Sequence, residues 1–178
     1  MEKIFFISDT HFSHRNVLHY DSRPWTDIRQ HDDDLVDKWN SKVDKSDTVY
    51  HLGDFALAGR QRQNDLIQRL NGKIYLVLGN HDKKHLVGVE YFVPKRTSEP
   101  DLVINEKRIK ISHYPFDLVM DLSYTDVYLF GHSHINGPHV SYIKDLNGVQ
   151  IIAYNMYCGY WDFEPKTLEE ILEVKYAI

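Results

Sequence analysis

The 178-residue sequence predicts an α/β sandwich, a single domain over residues 1–178 with two mixed β-sheets flanked by helices. Three observations lead there. Short apolar runs alternate with amphipathic stretches in the first half of the chain, as strands and helices do in α/β layers. Paired runs separated by turn residues dominate the second half, as in hairpins. No internal repeat, low-complexity segment or Pro/Gly/Ser-rich linker divides the chain, and its length suits one core.

The elements follow in order. Ile4–Ile7 reads as a buried strand. Leu35, Val36, Trp39 and Val43 recur at helical spacing, and Asp32–Asp34 is expected at that helix's N-terminus, where negative charge is favoured. Thr48–Leu52 is a second strand. Leu66, Ile67 and Leu70 mark a second helix that stops at Asn71-Gly72. Ile74–Leu78 is a third strand. Leu102–Ile104 and Arg108–Ile111 form a hairpin around Asn105-Glu106-Lys107. Val127–Phe130 is a further strand, and Val140–Ile143 and Val149–Tyr154 pair across a turn at Asn147-Gly148. Thr167 and Glu170 make a capping box for a last short helix carrying Leu168, Ile171 and Leu172.

Hydrophobic residues make up 42% and charged residues 26%, ordinary for a globular protein. No apolar run approaches the roughly 20 residues of a membrane span, so no membrane partner is expected. The run Ile4–Ile7 is too short for a signal peptide and has no small-residue cleavage site after it. Cys158 is the only cysteine, so no intrachain disulfide exists. Both features favour a cytoplasmic location. The net charge of −5 disfavours a broad nucleic-acid groove, although bound divalent cations would offset most of it. Eleven histidines are the unusual count.

Their positions give them meaning. Ile4–Ile7 leads into Ser8-Asp9-Thr10-His11, Thr48–Leu52 into Gly53-Asp54, and Ile74–Leu78 into Gly79-Asn80-His81-Asp82. Arg108–Ile111 leads into Ser112-His113, and Val127–Phe130 into Gly131-His132-Ser133-His134. A lone histidine after a strand is usually a satisfied polar residue, and a strand-end aspartate is usually a turn residue or a cap. A succession of strands that all end in metal-ligand residue types is hard to explain that way. Ligands of α/β sheets bind outside the carboxyl ends of strands, so strands lying side by side would bring these residues to one spot. Asp9 and His11 are two apart, as are His132 and His134. In extended chain each pair points to one side. Glycines 53, 79 and 131 allow a sharp turn before the ligand. Imidazole, carboxylate and amide donors without thiolate suit Mn²⁺, Fe, Zn²⁺, Ni²⁺ or Co²⁺. His19, His31, His85 and His139 are expected at the surface or behind the ligands, and His51 in strand packing.

In this order the residues resemble the calcineurin-like metallophosphoesterase superfamily, whose pattern is Asp-x-His, Gly-Asp, Gly-Asn-His-Asp/Glu, a lone His, and Gly-His-x-His. Further likeness points to a small bacterial and phage branch: Ser8-Asp9-Thr10-His11-Phe12-Ser13-His14, Arg23-Pro24-Trp25, Ser112-His113-Tyr114-Pro115, and Asn155, Trp161, Pro165 and Leu168 near the end. Met156–Tyr160 departs from the small, glycine-containing stretch expected after Asn155. The resemblance implies the calcineurin-like phosphoesterase fold and two divalent transition-metal ions, Mn²⁺ foremost. It implies that Asp9, His11, Asp54 and His134 hold one ion and Asp54, Asn80, His113 and His132 the other. It also implies that His81 is the catalytic group that helps the leaving oxygen depart, with Asp82 orienting it.

The expected activity is hydrolysis of phosphodiesters or phosphomonoesters by a metal-bridging hydroxide, on a small or nucleotide-type phosphate ester. The polar segment Phe12–Gln30 is rooted at the site, where loops often carry selectivity. His14, Asn16 and Arg23 are its candidate substrate contacts. A nuclease, or a metal-binding scaffold without catalysis, are the competing readings.

Overall fold

The computed structural model describes residues 2–115, 121–145 and 147–174; the rest of the expected domain lies outside the described residues. Two mixed five-stranded sheets form the framework. Strands β1 (Ile4–Ile7), β2 (Thr48–His51), β3 (Lys73–Val77) and β4 (Val89–Phe92) run parallel in the first. The second contains β5 (Leu102–Ile104), β6 (Lys107–Ile111), β7 (Val127–Phe130), β8 (Val140–Lys144) and β9 (Gln150–Asn155). Its order is β5-β6-β7-β9-β8, with β6, β7 and β9 parallel and the two edge strands antiparallel to them. The short β10 (Lys166–Thr167) returns to pair antiparallel with β1.

Strand alternation builds the layers. Phe5 and Ile7 of β1 face one way and Phe6 the other. Phe5, Ile7, Val49, Ile74 and Leu76 pack with Leu35, Val36 and Trp39 of α2 (Ile28–Lys42) and Leu66 and Ile67 of α3 (Arg60–Arg69). Phe6, Leu52 and Val77 instead meet Ile109, Ile111, Val127, Leu129 and Tyr154 across the sheet interface. Leu168 and Ile171 of α4 (Leu168–Glu173) join that second cluster, and Thr167 and Glu170 close its capping box. α1 (Val17–Tyr20) is a single turn in the segment after β1.

Several expectations change. α2 begins at Ile28, capped by the Asp27 carboxylate, which accepts from the N–H groups of Arg29 and Gln30. Asp32–Asp34 therefore lies inside the helix, because the sequence periodicity was carried by apolar residues that start a turn later than the cap. Asp32 is buried there and bonds Ser13, His31 and Arg62. β4 and β10 carry too few consecutive apolar residues to stand out in sequence. Asn105 and Glu106 both take positive φ, 48° and 65°, so they alone are the hairpin turn and Lys107 opens β6.

Candidate metal centre

The carboxyl ends of β1, β2, β3, β6 and β7 lie at one edge of the stacked sheets. Ser8 ties the sheets together there: its N–H bonds the Met156 carbonyl, and its own carbonyl accepts from Cys158 N–H. The loops after β1 and β2 are joined by bonds from His11 N–H to Asp54 O and Phe12 N–H to Phe55 O.

Ligand atoms of Asp9, His11, Asp54 and His134 lie within 4.8 Å of one another, as do those of Asp54, His113 and His132. His11 Nε2 is 3.1 Å from His134 Nε2 and 3.7 Å from Asp54 Oδ2, while His134 Nε2 is 3.4 Å from Asp9 Oδ1. On the other side, His113 Nε2 is 3.6 Å from Asp54 Oδ2 and 3.1 Å from Asn80 Oδ1. Donors bound to one ion at about 2.1 Å and at angles of 90–110° stand about 3.0–3.4 Å apart. The observed spacings of 3.1–3.7 Å are close to that range, and Asp54 is common to both groups. The residues present fit divalent metal ions.

The expectation of extended ligand pairs is corrected. Asp9 (φ 56°), His11 (50°), Asp54 (56°), His132 (68°) and His134 (43°) all occupy the left-handed region. That conformation is uncommon for residues with side chains and costs about 1–3 kcal/mol each. Here hydrogen bonds hold it. Arg23, buried, donates to the carbonyls of Asp9 (2.8 Å) and Thr10 (2.7 Å), and His132 N–H donates to both Asp9 carboxylate oxygens. Of Gly53, Gly79 and Gly131, only Gly53 has positive φ, 99°; a β-carbon on Gly79 would strike the Asp54 carboxylate and one on Gly131 would strike Asp9 and Ser8. Those two are glycine for room.

Two of the imidazoles, His113 and His134, are fixed from behind. His113 Nδ1 donates to the Leu52 carbonyl at 2.9 Å, which leaves Nε2 to face the site. His134 Nδ1 lies 2.9–3.0 Å from the Asp21 carboxylate oxygens, and its ring stacks face-on with Tyr157 at 5.0 Å. Burial opposes charge on His134, but its hydrogen bonds to the Asp21 and Asp9 carboxylates outweigh it and push its pKa up to about 9. Burial, then the neighbouring His134, drives the His11 pKa down.

The remaining residues divide. His81 is exposed at the rim, its ring 5.4 Å from His11 and 6.3 Å from His14. His14 lines the same cleft. Asn80 sits toward His113 and His81 toward His11, so the adjacent side chains diverge. Asp82 does not meet the expectation that it orients His81. Its carboxylate accepts from the N–H groups of Asp54 (2.7 Å), Gly79 (2.9 Å) and Phe55 (3.0 Å), because these loop donors have no strand partner. It clamps the β2 and β3 loops together. Arg23 is turned away from the cleft by its bonds to Asp9, Thr10, His31 and Asp21, so it supports ligands and touches no substrate space. Asn16 is exposed, outside the cleft lining, and its carbonyl accepts from His19 and Tyr20. His51 is packed in its strand, bonded to Thr10 Oγ1, and burial lowers its pKa to about 3.

Sequence reasoning missed Asp21 and Tyr157. Asp21 lies 113 residues from His134, and no local pattern marks it among the polar residues of its segment. Tyr157 falls in the stretch that departs from the small residues expected, and its bulk is what backs His134.

Two stacked mixed sheets with imidazole, carboxylate and amide donors gathered at their strand ends define a candidate divalent-metal centre on an α/β sandwich. A calcineurin-like phosphoesterase superfamily domain model matches residues 2–153, and the chain belongs to that family. An uncharacterized protein of Methanocaldococcus jannaschii is 33% identical over 138 residues, 76% of this chain and 72% of its own length. The gene 66 protein of Mycobacterium phage D29 is 36% identical over 88 residues, 48% of this chain and 43% of that protein, so the match spans under half of the phage protein. A protein of unknown function from Aquifex aeolicus has a similar structure: TM-score 0.68 at 23% identity, covering 97% of this chain and 99% of that one.

Proposed function

We propose that this chain is a dinuclear phosphoesterase that hydrolyses small phosphodiesters or phosphomonoesters. The observation that carries the reading is the position of Asp54, whose Oδ2 stands 3.7 Å from His11 Nε2 and 3.6 Å from His113 Nε2. Asp9, His11, Asp54 and His134 would hold one divalent ion, and Asp54, Asn80, His113 and His132 the other. Mn²⁺ is the ion we favour, since carboxylate and amide oxygens accompany the imidazoles. Such a pair of cations supplies Lewis acidity that activates water and draws in phosphoryl oxygens.

The chain's own residues do the rest. Asp54 Oδ1 accepts the His81 N–H at 2.9 Å, which sets the backbone from which the His81 ring reaches over the cleft. From there His81 Nδ1 or Nε2 carries a proton to the departing oxygen. The cleft of about 370 Å³ is lined by His11, His14, Asp54, Asn80, His81, His132 and His134 among others, with no Lys or Arg among the described lining residues. That lining favours a small ester over a nucleic-acid strand, whose backbone is usually met by basic side chains. The test is turnover of bis-p-nitrophenyl phosphate by Mn²⁺-loaded protein. Hydrolysis that tracks metal content supports the reading, and inert, fully loaded protein contradicts it.

A further inference from the structure

One wall of the cleft is not built for phosphate. α1 is a single turn, and its residues Val17 and Tyr20, three apart, share a face that lines the cleft. Tyr20 is 66% exposed. Its ring meets His14 edge-on at 6.4 Å, and His14 in turn lies 5.5 Å from the ligand His11. A large aromatic face is thus held open to solvent a short step from the metal donors. Tyr114, also an exposed tyrosine near the ligands, packs edge-on against His113 and His132 and is not among the described residues that line the cleft. Around Tyr20 the remaining lining is His14, His81, Asp21, Ser133, Asn136 and five of the candidate ligands, with no Lys or Arg among the described residues.

Aromatic side chains beside a phosphate site offer stacking to a flat ring system, which every nucleobase presents. With no Lys or Arg in the described lining, no permanent cation outside the metal centre stands ready to neutralise a second phosphate. We propose that Tyr20 is a specificity residue that stacks on the organic group of the substrate, and that this group is an uncharged aromatic ring system of the nucleobase type. The substrate class is then a nucleoside phosphate ester with one phosphoryl group. This rests on the phosphoesterase reading above for the phosphate end only.

The test is calorimetry of the Mn²⁺-loaded protein with two non-hydrolysable phosphonates, the analogues of adenosine 5′-phosphate and of ribose 5-phosphate. The adenosine analogue is expected to bind about 5- to 100-fold more tightly, the size of one stacked base. Tyr20→Ala should bring the two affinities to within about twofold, Tyr20→Phe should keep the preference, and a 3′-phosphate on the adenosine ligand should add no affinity. Equal affinities in the unsubstituted protein, or a preference unmoved by Tyr20→Ala, overturn the proposal, and a gain from the 3′-phosphate overturns its single-phosphoryl part. Ester turnover measured alongside separates the two readings. A base preference without hydrolysis of any ester keeps the subsite and removes the hydrolase, and hydrolysis with equal affinities does the reverse.

Discussion

At the scale of single residues, the proposed function divides the site into groups that would bind metal, one that would react and groups that hold others in place. His81 has no place in either ligand group, so His81→Ala should keep its metal while kcat falls by roughly 10²–10⁴-fold, the usual share of a general acid. The loss should be smaller for an aryl leaving group, already stable as an anion, than for an alkyl one. Loss of metal, or full activity on an alkyl ester, would contradict the assignment. Asp21 acts one step back. Asp21→Asn leaves shape intact but weakens the partner of His134 Nδ1, and affinity for that ion should drop about 10–100-fold with the other ion less affected. Metal titration with elemental analysis separates the two sites. Much of this was legible in sequence: the residues that gather at the strand ends are those whose types and spacing marked them. The roles of Asp82, Arg23 and Asp21 were not, because each is set by hydrogen bonds to backbone or side chains far away in the chain. Burial raises the Asp82 pKa against the backbone N–H groups of Gly79 and Phe55 that favour its charge. Nothing in Asn80-His81-Asp82 shows that the carboxylate turns toward the β2 loop.

At the scale of elements, five parallel strands bring donors to one edge, and glycines at their ends set how closely the loops approach. Gly79→Ala forces a β-carbon into the Asp54 carboxylate, whereas Gly59, at the start of α3, has open space around it. Gly79→Ala should therefore cost about 1–3 kcal/mol and lower the occupancy of both ions, and Gly59→Ala should leave metal binding as it was. Urea unfolding with metal analysis of both variants checks this; equal behaviour would contradict it. The strands themselves were readable because apolar runs of four or five residues ended abruptly in polar ones. β4 was hidden because its residues are half-exposed or exposed at a sheet edge, so burial never imposed an apolar run. The left-handed conformation of Asp9, His11, Asp54, His132 and His134 was equally hidden. It contradicts local preference and is held by tertiary contacts such as the Arg23 bonds to the Asp9 and Thr10 carbonyls.

At the scale of the whole molecule, the two sheets share one core while their loops share one centre, so stability and metal binding are linked. A ligand of the folded state alone stabilises it by mass action, and chelation should lower the melting temperature. Away from the centre, a hydrogen bond from Arg108 holds the Asp126 carboxyl down to about 2. A depressed carboxylate pKa contributes stability above the unfolded value near 4, and that contribution is lost as pH falls toward 2. Asp126→Asn should cost less than about 1 kcal/mol at neutral pH, since the pair is partly exposed, and the difference should vanish near pH 2. A difference that persists there would mean that packing, not charge, is what the substitution removes. The central claim is that one carboxylate joins two metal positions. The most direct measurement is the number of ions bound per chain after reconstitution, by elemental analysis, in the unsubstituted protein and in Asp54→Asn and His113→Ala. Two ions are expected in the first, weakened binding of both in Asp54→Asn, and loss of one in His113→Ala with activity partly restored at high metal concentration. One ion in the unsubstituted protein, or Asp54→Asn losing only the ion that His113→Ala loses, would contradict it.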